Sequence, residues 1–388
     1  MDKKRGIINR NLFLISQAVS AVSNYFPLGI AMLTKDVVLI GQVAIFQSLF
    51  TIFIAITRSG VGFAILKAAG NATNIQNPKF PLMVLGLLTI PTTLLYCNLS
   101  LNSDFSLFML FCLILLLSIF QEFSRAKLIS ASRYKQLVFV DSSWLIASSI
   151  TAFIFHGNFS FRSIVFIFFA GPLSSAVYIV FLGVRSKVTP STSDVKTLSN
   201  VELFFLTTIP LITFVVVFIL NIIWSTKFGA SDLGIVRGLS FFFIPIQFLL
   251  SIFPHVILRE RKSASTFLNK RTSFGLVLIC ATFSIIWASY SEILNVQTVL
   301  IVMALSLSMH SIIASQELAL KRILKNRIKG TLVARLIWGV SVILFVCIAP
   351  TTRWSPLQLA LIIAFSDVFY RLILNSRFLF SREGTDGD

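Results

Sequence analysis

The stretch FSLFMLFCLILLLSIF, residues Phe105–Phe120, contains no charged side chain. A hydrocarbon layer about 30 Å thick is crossed by about 20 helical residues. In lipid, only a helix or a closed barrel satisfies every backbone polar group. Continuous apolar runs such as this one and 211–223 lack the alternation of barrel strands. We therefore predict an all-α polytopic membrane protein.

Similar apolar stretches recur along the whole chain and predict about twelve transmembrane helices. The second is the least secure, because residues 58–69 are still apolar enough to continue its helix. The approximate limits of the twelve predicted spans are 11–33, 38–57, 79–97, 105–122, 136–155, 163–184, 201–223, 233–257, 274–290, 296–316, 331–349 and 356–376.

Positive charge is concentrated in alternate segments between these spans. Loops rich in Lys and Arg stay in the cytoplasm, so we expect both termini inside and an even number of spans. The net charge of +18 is then a consequence of topology, and no nucleic-acid partner is inferred from it. The intervening segments carry at most one cation each, and the four cations that they contain are Lys35, Arg162, Lys227 and Arg353.

The chain shows no sequence motif for catalysis, ATP binding or metal binding. Its cysteines lack metal-ligand spacing, so they are interpreted as small apolar side chains. We therefore predict neither a metal, a cofactor nor a catalytic residue. An integral-membrane enzyme of glycan assembly remains an alternative, although the longest outward segment has only about ten residues. The four cysteines are Cys97, Cys112, Cys280 and Cys347.

Two halves of the chain resemble each other at a nearly constant offset. Ile40–Val43 aligns with Leu233–Val236, 193 residues later, and Trp144 aligns with Trp338, 194 residues later. Chance matching in apolar sequence is the alternative to duplication. Two repeats of six spans each would have the same orientation in the membrane, as in many secondary transporters with a substrate site between the halves.

This repeat predicts two six-helix bundles around a central cavity. The most polar segment between spans, 186–200, separates the halves. The predicted domains are residues 1–190 and 198–380, followed by a disordered polar tail, 381–388.

Ionisable side chains inside spans are costly, so each requires an explanation. We interpret three arginines as cavity cations that bind substrate, and Asp141, Asp367 and His310 as gating or coupling candidates. For the arginines the alternative is snorkelling to the headgroups. Asp367 is expected to pair with Arg371 on its own helix, and His310 is expected to be a buried hydrogen-bonding group. The three arginines are Arg58, Arg237 and Arg335.

Asp141 and Arg335 are 194 residues apart, which is the repeat offset, and they carry opposite charge. We hypothesise that they form a gate that closes the cytoplasmic side. The alternative is that Asp141 pairs within its own half, with Lys135 or Arg133.

Several short motifs resemble the polysaccharide-exporting branch of the multidrug/oligosaccharidyl-lipid/polysaccharide superfamily. Gln17, Ile40-Gly41-Gln42 and Gly60-Val61-Gly62 are similar to the start of these proteins. The segment Gln121–Trp144, with its basic residues, also fits, as does Leu233–Arg237 followed by Ile244-Pro245. The resemblance covers the whole chain in span number and about a third of it in residues.

This resemblance implies a Wzx-type flippase in the bacterial inner membrane. The expected substrate is a polyprenyl-pyrophosphate-linked oligosaccharide, such as an O-antigen or capsule repeat unit of lipopolysaccharide and polysaccharide biosynthesis. A flippase implies the lipid bilayer, a glycan polymerase and chain-length proteins as partners. The closest alternative is an ion-coupled drug or small-molecule antiporter of the same superfamily. A cation exporter should contain acidic cavity residues, and only Asp141 and Asp367 are available.

The charge pattern makes a topology prediction. Reporter fusions after Lys196 and after Arg271 should show a cytoplasmic location, and a fusion after Asn102 should show an external one. Paired alkaline phosphatase and green fluorescent protein fusions measure this directly. External activity at Lys196 would contradict the twelve-span scheme.

Overall fold

The computed structural model describes residues 2–57, 86, 89–90, 92–93, 104–131, 133–181, 200–246, 270–324, 328–352 and 354–376. Every extended regular element in these ranges is a helix, and they contain no β-strand. The all-α class predicted from the sequence is therefore confirmed.

Eleven helices have both ends within the described ranges. They are α1 (Asp2–Leu33), α2 (Val37–Ile56), α3 (Phe105–Ser130), α4 (Tyr134–Ile154), α5 (Phe161–Phe181), α6 (Asn200–Phe228), α7 (Ala230–Phe241), α8 (Lys270–Tyr290), α9 (Val296–Leu324), α10 (Ile328–Ile348) and α11 (Ser355–Asn375).

Nine helical segments in the described ranges are long and apolar enough to cross a membrane. They coincide with the second, the fourth to seventh and the ninth to twelfth predicted spans. Helix α1 covers the first predicted span. Most of the third predicted span and the second part of the eighth lie outside the described residues. The multi-span architecture is thus confirmed, whereas the orientation of the termini remains a prediction.

Two predicted helix ends are wrong. Helix α3 continues to Ser130, past the predicted end at residue 122, so Arg125 is helical and not part of a loop. The eighth predicted span is not one continuous helix, because α7 ends at Phe241. Pro245 explains this end, since it has no N–H to donate to the carbonyl oxygen four residues earlier, that of Phe241.

Helix ends are completed by side chains from neighbouring segments. Asp104 caps α3 by accepting hydrogen bonds from the backbone N–H of Ser106 at 3.0 Å and of Leu107 at 3.4 Å. The hydroxyl of Ser106 donates to the same carboxylate, and this bond is the main cause of the lowered pKa of Asp104. The C-terminus of α10 is completed by a cation. Lys227 Nζ donates to the carbonyl oxygens of Cys347 at 2.8 Å and Ala349 at 2.6 Å.

The chain separates into two compact units. The first contains residues 1–34 and 46–211, and the second contains residues 35–45 and 212–388. Helix α2 therefore contributes its first residues to the second unit and the remainder to the first. The boundary predicted between residues 190 and 198 falls in a stretch that is mostly outside the described residues, and it remains a prediction.

Aromatic side chains fill the interior of the first unit, where α4 packs against α1 and α5. Phe46 stacks on Phe111 with ring centroids 4.4 Å apart and meets the edge of Phe168 at 4.8 Å. Phe50 contacts Trp144, which is 1% exposed. Large apolar side chains also cover the outer surface, as expected for helices that face lipid.

The second unit contains a reciprocal crossing of α2 and α7 at two glycines. A Cβ atom on Gly41 would overlap the carbonyl oxygen of Ala230, and a Cβ atom on Gly234 would overlap that of Val37. Val37 and Ala230 each precede their glycine by four residues, one helical turn. Gly41 and Gly234 are also the two glycines that the predicted repeat aligns.

We expect Gly41→Ala or Gly234→Ala to destabilise the protein by about 3 kcal/mol, because the added methyl group would meet backbone that cannot move aside. Thermal unfolding in one detergent measures the effect. Gly275→Ala is the matched control, since nothing lies within 4 Å of its Cβ position on α8. Unchanged stability of both crossing variants would contradict the close contact.

Candidate functional site

Asp141 is the centre of a buried polar cluster in the first unit. It lies on α4 and is 0% exposed. Its Oδ1 accepts a hydrogen bond from Arg125 Nη1 at 2.8 Å, and its Oδ2 accepts one from Ser16 Oγ at 2.5 Å. Because Arg125 lies on α3 and Ser16 on α1, the carboxylate connects three helices.

The guanidinium of Arg125 has further oxygen partners. It donates a hydrogen bond to Ser20 Oγ, and its Nε lies 3.8 Å from Glu122 Oε2. Ser16 and Ser20 are one turn apart on the same face of α1. Arg125 and Glu122 are each 2% exposed at the side chain, so the whole cluster is buried.

A buried ion pair of this kind constrains the helices that carry it. Removing one partner leaves an uncompensated buried charge, which costs about 3–5 kcal/mol. Both oxygens of Asp141 are hydrogen-bonded, as burial of a carboxylate requires. The cluster therefore favours one arrangement of α1, α3 and α4.

Sequence reasoning assigned Arg125 to a cytoplasmic loop and so missed it as a partner of Asp141. The expected partners within the same half were Lys135 and Arg133, whereas the observed partner is Arg125, sixteen residues before Asp141. The available signal was Glu122, because its spacing of three residues from Arg125 is that of a helical ion pair.

Asp367 lies in the second unit, on α11, and is 5% exposed. Its Oδ2 accepts a hydrogen bond from Ser308 Oγ on α9 at 2.5 Å. The expected ion pair with Arg371 is not found among the described residues, so that expectation is wrong. The carboxylate points toward α9, where Ser308 donates to it, and not toward Arg371 on its own helix.

Arg335 lies close to the same carboxylate and attracts it electrostatically. Its Cζ is 4.2 Å from the ring centroid of Tyr370 and 4.8 Å from that of Trp338. The guanidinium thus contacts two aromatic faces, an arrangement that stabilises a partly buried cation. Tyr370 is three residues after Asp367 on α11, so one face of this helix supplies both contacts.

The gate hypothesis for Asp141 and Arg335 remains a prediction. Each residue has partners within its own unit: Arg125 and Ser16 for Asp141, and the aromatic pair for Arg335. These contacts correspond to the alternative of pairing within one half.

The remaining candidates are separate from these two clusters. Arg237 on α7 is half-buried, and its Nε and Nη2 donate to Asn221 Oδ1 at 3.2 Å and 2.5 Å. Asn221 on α6 is 1% exposed, so a buried side chain holds this arginine. His310 is exposed, which shows that the expectation of a buried group was wrong. Arg58 lies outside the described residues.

Within the described ranges, no group of three or more His, Cys, Asp or Glu side chains is placed to hold a metal ion. Sequence reasoning also missed three serines that hydrogen-bond to the buried charges: Ser16 and Ser308 donate to carboxylates, and Ser20 accepts from Arg125. Serine is common in membrane helices, where its hydroxyl usually bonds to a carbonyl of the preceding turn, so these three residues carried no distinguishing signal.

Together, these features define a multi-span helical protein of two units, each with a buried carboxylate that accepts hydrogen bonds from its own unit. Solved structures with this fold are MATE family transporters of the MOP superfamily. An inward-facing multidrug resistance MATE transporter matches with a TM-score of 0.60 and 12% identity, over 93% of this chain and 96% of that one. An outward-facing MATE transporter matches with a TM-score of 0.58 and 11% identity, over 93% and 92%.

A MOP superfamily transporter from Pyrococcus furiosus, described as having a binding pocket of reverse polarity, matches with a TM-score of 0.60 and 12% identity, over 94% and 93% of the two chains. No protein-family model matches the sequence, and no curated protein matches it significantly. At these identities the likeness shows the fold, which is that of MATE transporters. The resemblance to the polysaccharide-exporting branch remains a prediction.

Charge-swap variants test the pairing of Asp141. Asp141→Arg alone should destabilise the protein by about 3–5 kcal/mol, because it places two guanidinium groups in one buried cluster. Adding Arg125→Asp should recover most of this loss, whereas adding Arg335→Asp should not. The yield of monodisperse protein and its unfolding temperature measure both effects. If adding Arg335→Asp to Asp141→Arg restored stability and adding Arg125→Asp did not, the result would instead support the gate.

Proposed function

We propose that this protein is a secondary transporter that moves an amphipathic substrate across the membrane by alternating access. The observation that carries this proposal is the likeness to MATE transporters over more than nine-tenths of both chains. The sequence contains no ATP-binding loop, so the energy would come from an ion gradient, a substrate gradient or a partner.

The first candidate substrate is a small amphipathic molecule, which corresponds to the antiporter alternative. The similar structures support it, since they are described as multidrug resistance transporters. We expect this molecule to be neutral or anionic and not an organic cation, because both buried carboxylates already have partners inside the protein. Asp141 already binds Arg125, and Asp367 already accepts from Ser308 and is attracted by Arg335.

The second candidate is a polyprenyl-pyrophosphate-linked oligosaccharide. Its support is the sequence resemblance to polysaccharide exporters and the presence of Arg237 and Arg335, because guanidinium groups bind phosphate oxygens in a bidentate manner. In this case the protein would act as a flippase in the bacterial inner membrane, next to a glycan polymerase and chain-length proteins. The P. furiosus neighbour is described as having a binding pocket whose reverse polarity suggests a different function.

A gene deletion distinguishes the two candidates. If the substrate is a small molecule, the deletion strain should retain at least about twofold more of a fluorescent neutral or anionic amphiphile, because efflux lowers the internal steady-state concentration. Its surface glycan should remain unchanged on gels. Dye retention is measured by flow cytometry.

Complementation with the Gly275→Ala variant is the control, since that position contacts nothing within 4 Å. Loss of surface glycan with unchanged dye efflux would replace the first candidate by the second. If neither readout changes in a strain without redundant transporters, the proposal of transport is wrong.

A further inference from the structure

An open groove lies between α3 and α5 of the first unit. Its volume is about 340 Å³, which is within the range of small-molecule pockets. Most of its wall is made of apolar side chains that are exposed, and in a membrane-spanning helix such side chains are covered by acyl chains and not by water. The groove is lined by Met109, Leu110, Leu113 and Phe166, and by two polar residues, Ser106 and Arg162.

The two polar residues lie at one end of the groove, where both helices begin. Ser106 is the second residue of α3, and Arg162 is the second residue of α5. Leu113 follows Ser106 by seven residues, so the apolar wall extends about 10 Å along α3. A groove that is polar at the helix ends and apolar along the helices corresponds to an amphipathic lipid with its headgroup at the membrane surface.

Opposite charges lie side by side at the polar end. Arg162 Nη2 donates hydrogen bonds to Asp104 Oδ2 at 3.1 Å and to Ser106 Oγ at 2.8 Å. Both charged side chains are accessible, since that of Arg162 is 57% exposed and that of Asp104 is 37% exposed.

Both charged groups retain hydrogen-bonding capacity for a ligand. Within the described ranges, the hydrogen bonds of Arg162 start at Nη2, so the N–H groups of Nε and Nη1 can donate to a further acceptor. In the same part of the chain Asp104 Oδ2 accepts from Arg162 alone, and a carboxylate oxygen can accept a second hydrogen bond. The end of the groove therefore offers donors on a cation beside an acceptor on an anion.

A zwitterionic headgroup with a primary ammonium complements this pair of charges. Its phosphate would accept from the guanidinium, which binds phosphate oxygens well. Its ammonium would donate to the Asp104 carboxylate. Phosphatidylethanolamine has both groups, whereas the quaternary ammonium of phosphatidylcholine has no N–H and phosphatidylglycerol has no cation.

We propose that the groove between α3 and α5 binds one aminophospholipid, with its headgroup on Arg162 and Asp104 and an acyl chain against Met109, Leu113 and Phe166. The charge pattern predicts that this end of the first unit faces outside, so the lipid belongs to the outer leaflet. It is a resident lipid between two helices and not the transported substrate.

The test is the headgroup preference of the first lipid that binds. Purified protein in detergent is titrated with phosphatidylethanolamine, phosphatidylcholine or phosphatidylglycerol of identical acyl chains, and native mass spectrometry measures each affinity. Phosphatidylethanolamine should bind about fivefold more tightly than the other two, which corresponds to one exposed ion pair with the ammonium.

Asp104→Asn removes the charge and keeps the helix cap, because asparagine caps as well as aspartate. This variant should bind phosphatidylethanolamine and phosphatidylcholine within about twofold of each other, since the ion pair with the ammonium is gone. Asp36→Asn is the matched control, because Asp36 caps α2 through the N–H groups of Val38 and Leu39 in the same way. It should keep the wild-type preference.

Arg162→Gln should weaken the binding of all three lipids, because the phosphate is common to them. Lys35→Gln is its control, since Lys35 is an exposed cation that lies over the ring of Tyr290 and not in the groove. The control should bind all three lipids as the wild-type protein does.

Leu113→Trp tests the apolar wall. It should also weaken the binding of all three lipids, because the larger side chain occupies the space of the acyl chain. Val177→Trp is its control, because Val177 is an exposed residue of α5 outside the groove lining. Glycerophosphoethanolamine, which is the headgroup without acyl chains, should not displace the bound lipid at equal concentration.

Three results would overturn the proposal. They are equal affinity of the wild-type protein for the three lipids, a wild-type preference that survives Asp104→Asn, and displacement of the lipid by glycerophosphoethanolamine. Lipid binding is measured without a transported substrate, so a failure of the transport proposal is distinguishable from a failure of this one.

Discussion

Polar groups within the hydrocarbon layer must find their partners inside the protein, and the described structure follows from this constraint. Backbone groups are satisfied by helices, and hydroxyls such as that of Ser118 donate to a carbonyl one turn earlier. Charged groups need an opposite charge or several hydrogen bonds, because a carboxylate or guanidinium without them is far costlier to bury than a hydroxyl. The clusters around Asp141 and Asp367 are two solutions to this problem, each built from several helices.

The two units solve it with opposite arrangements of charge. At the positions related by the repeat, the first unit has Asp141 and the second has Arg335. Asp141 is balanced by Arg125 on α3, whereas Arg335 stacks on Tyr370 and lies near Asp367 on α11. The two positions that the predicted repeat aligns therefore carry opposite charges. Because Asp141 and Arg335 each have partners in their own unit, the interiors of the two units differ chemically.

The glycine crossing shows how closely sequence repetition and packing are related. The predicted repeat aligns Gly41 with Gly234, and each glycine leaves room for the backbone carbonyl that lies one turn before the other. Side chains larger than hydrogen would separate α2 from α7, because a carbonyl group cannot move without breaking its helix. The crossing therefore places a strict limit on residue size at two positions.

The amino-acid sequence alone determined the membrane class and most of the span limits, since hydropathy is a local property that any membrane helix must satisfy. It also identified Asp141, Arg335 and Asp367 as residues that need an explanation. Only the tertiary structure decided their partners: Arg125 and not Lys135 or Arg133, and Ser308 and not Arg371. The physical reason is that a buried charge is satisfied by whichever helices pack against it, and apolar helices carry little local information about their neighbours.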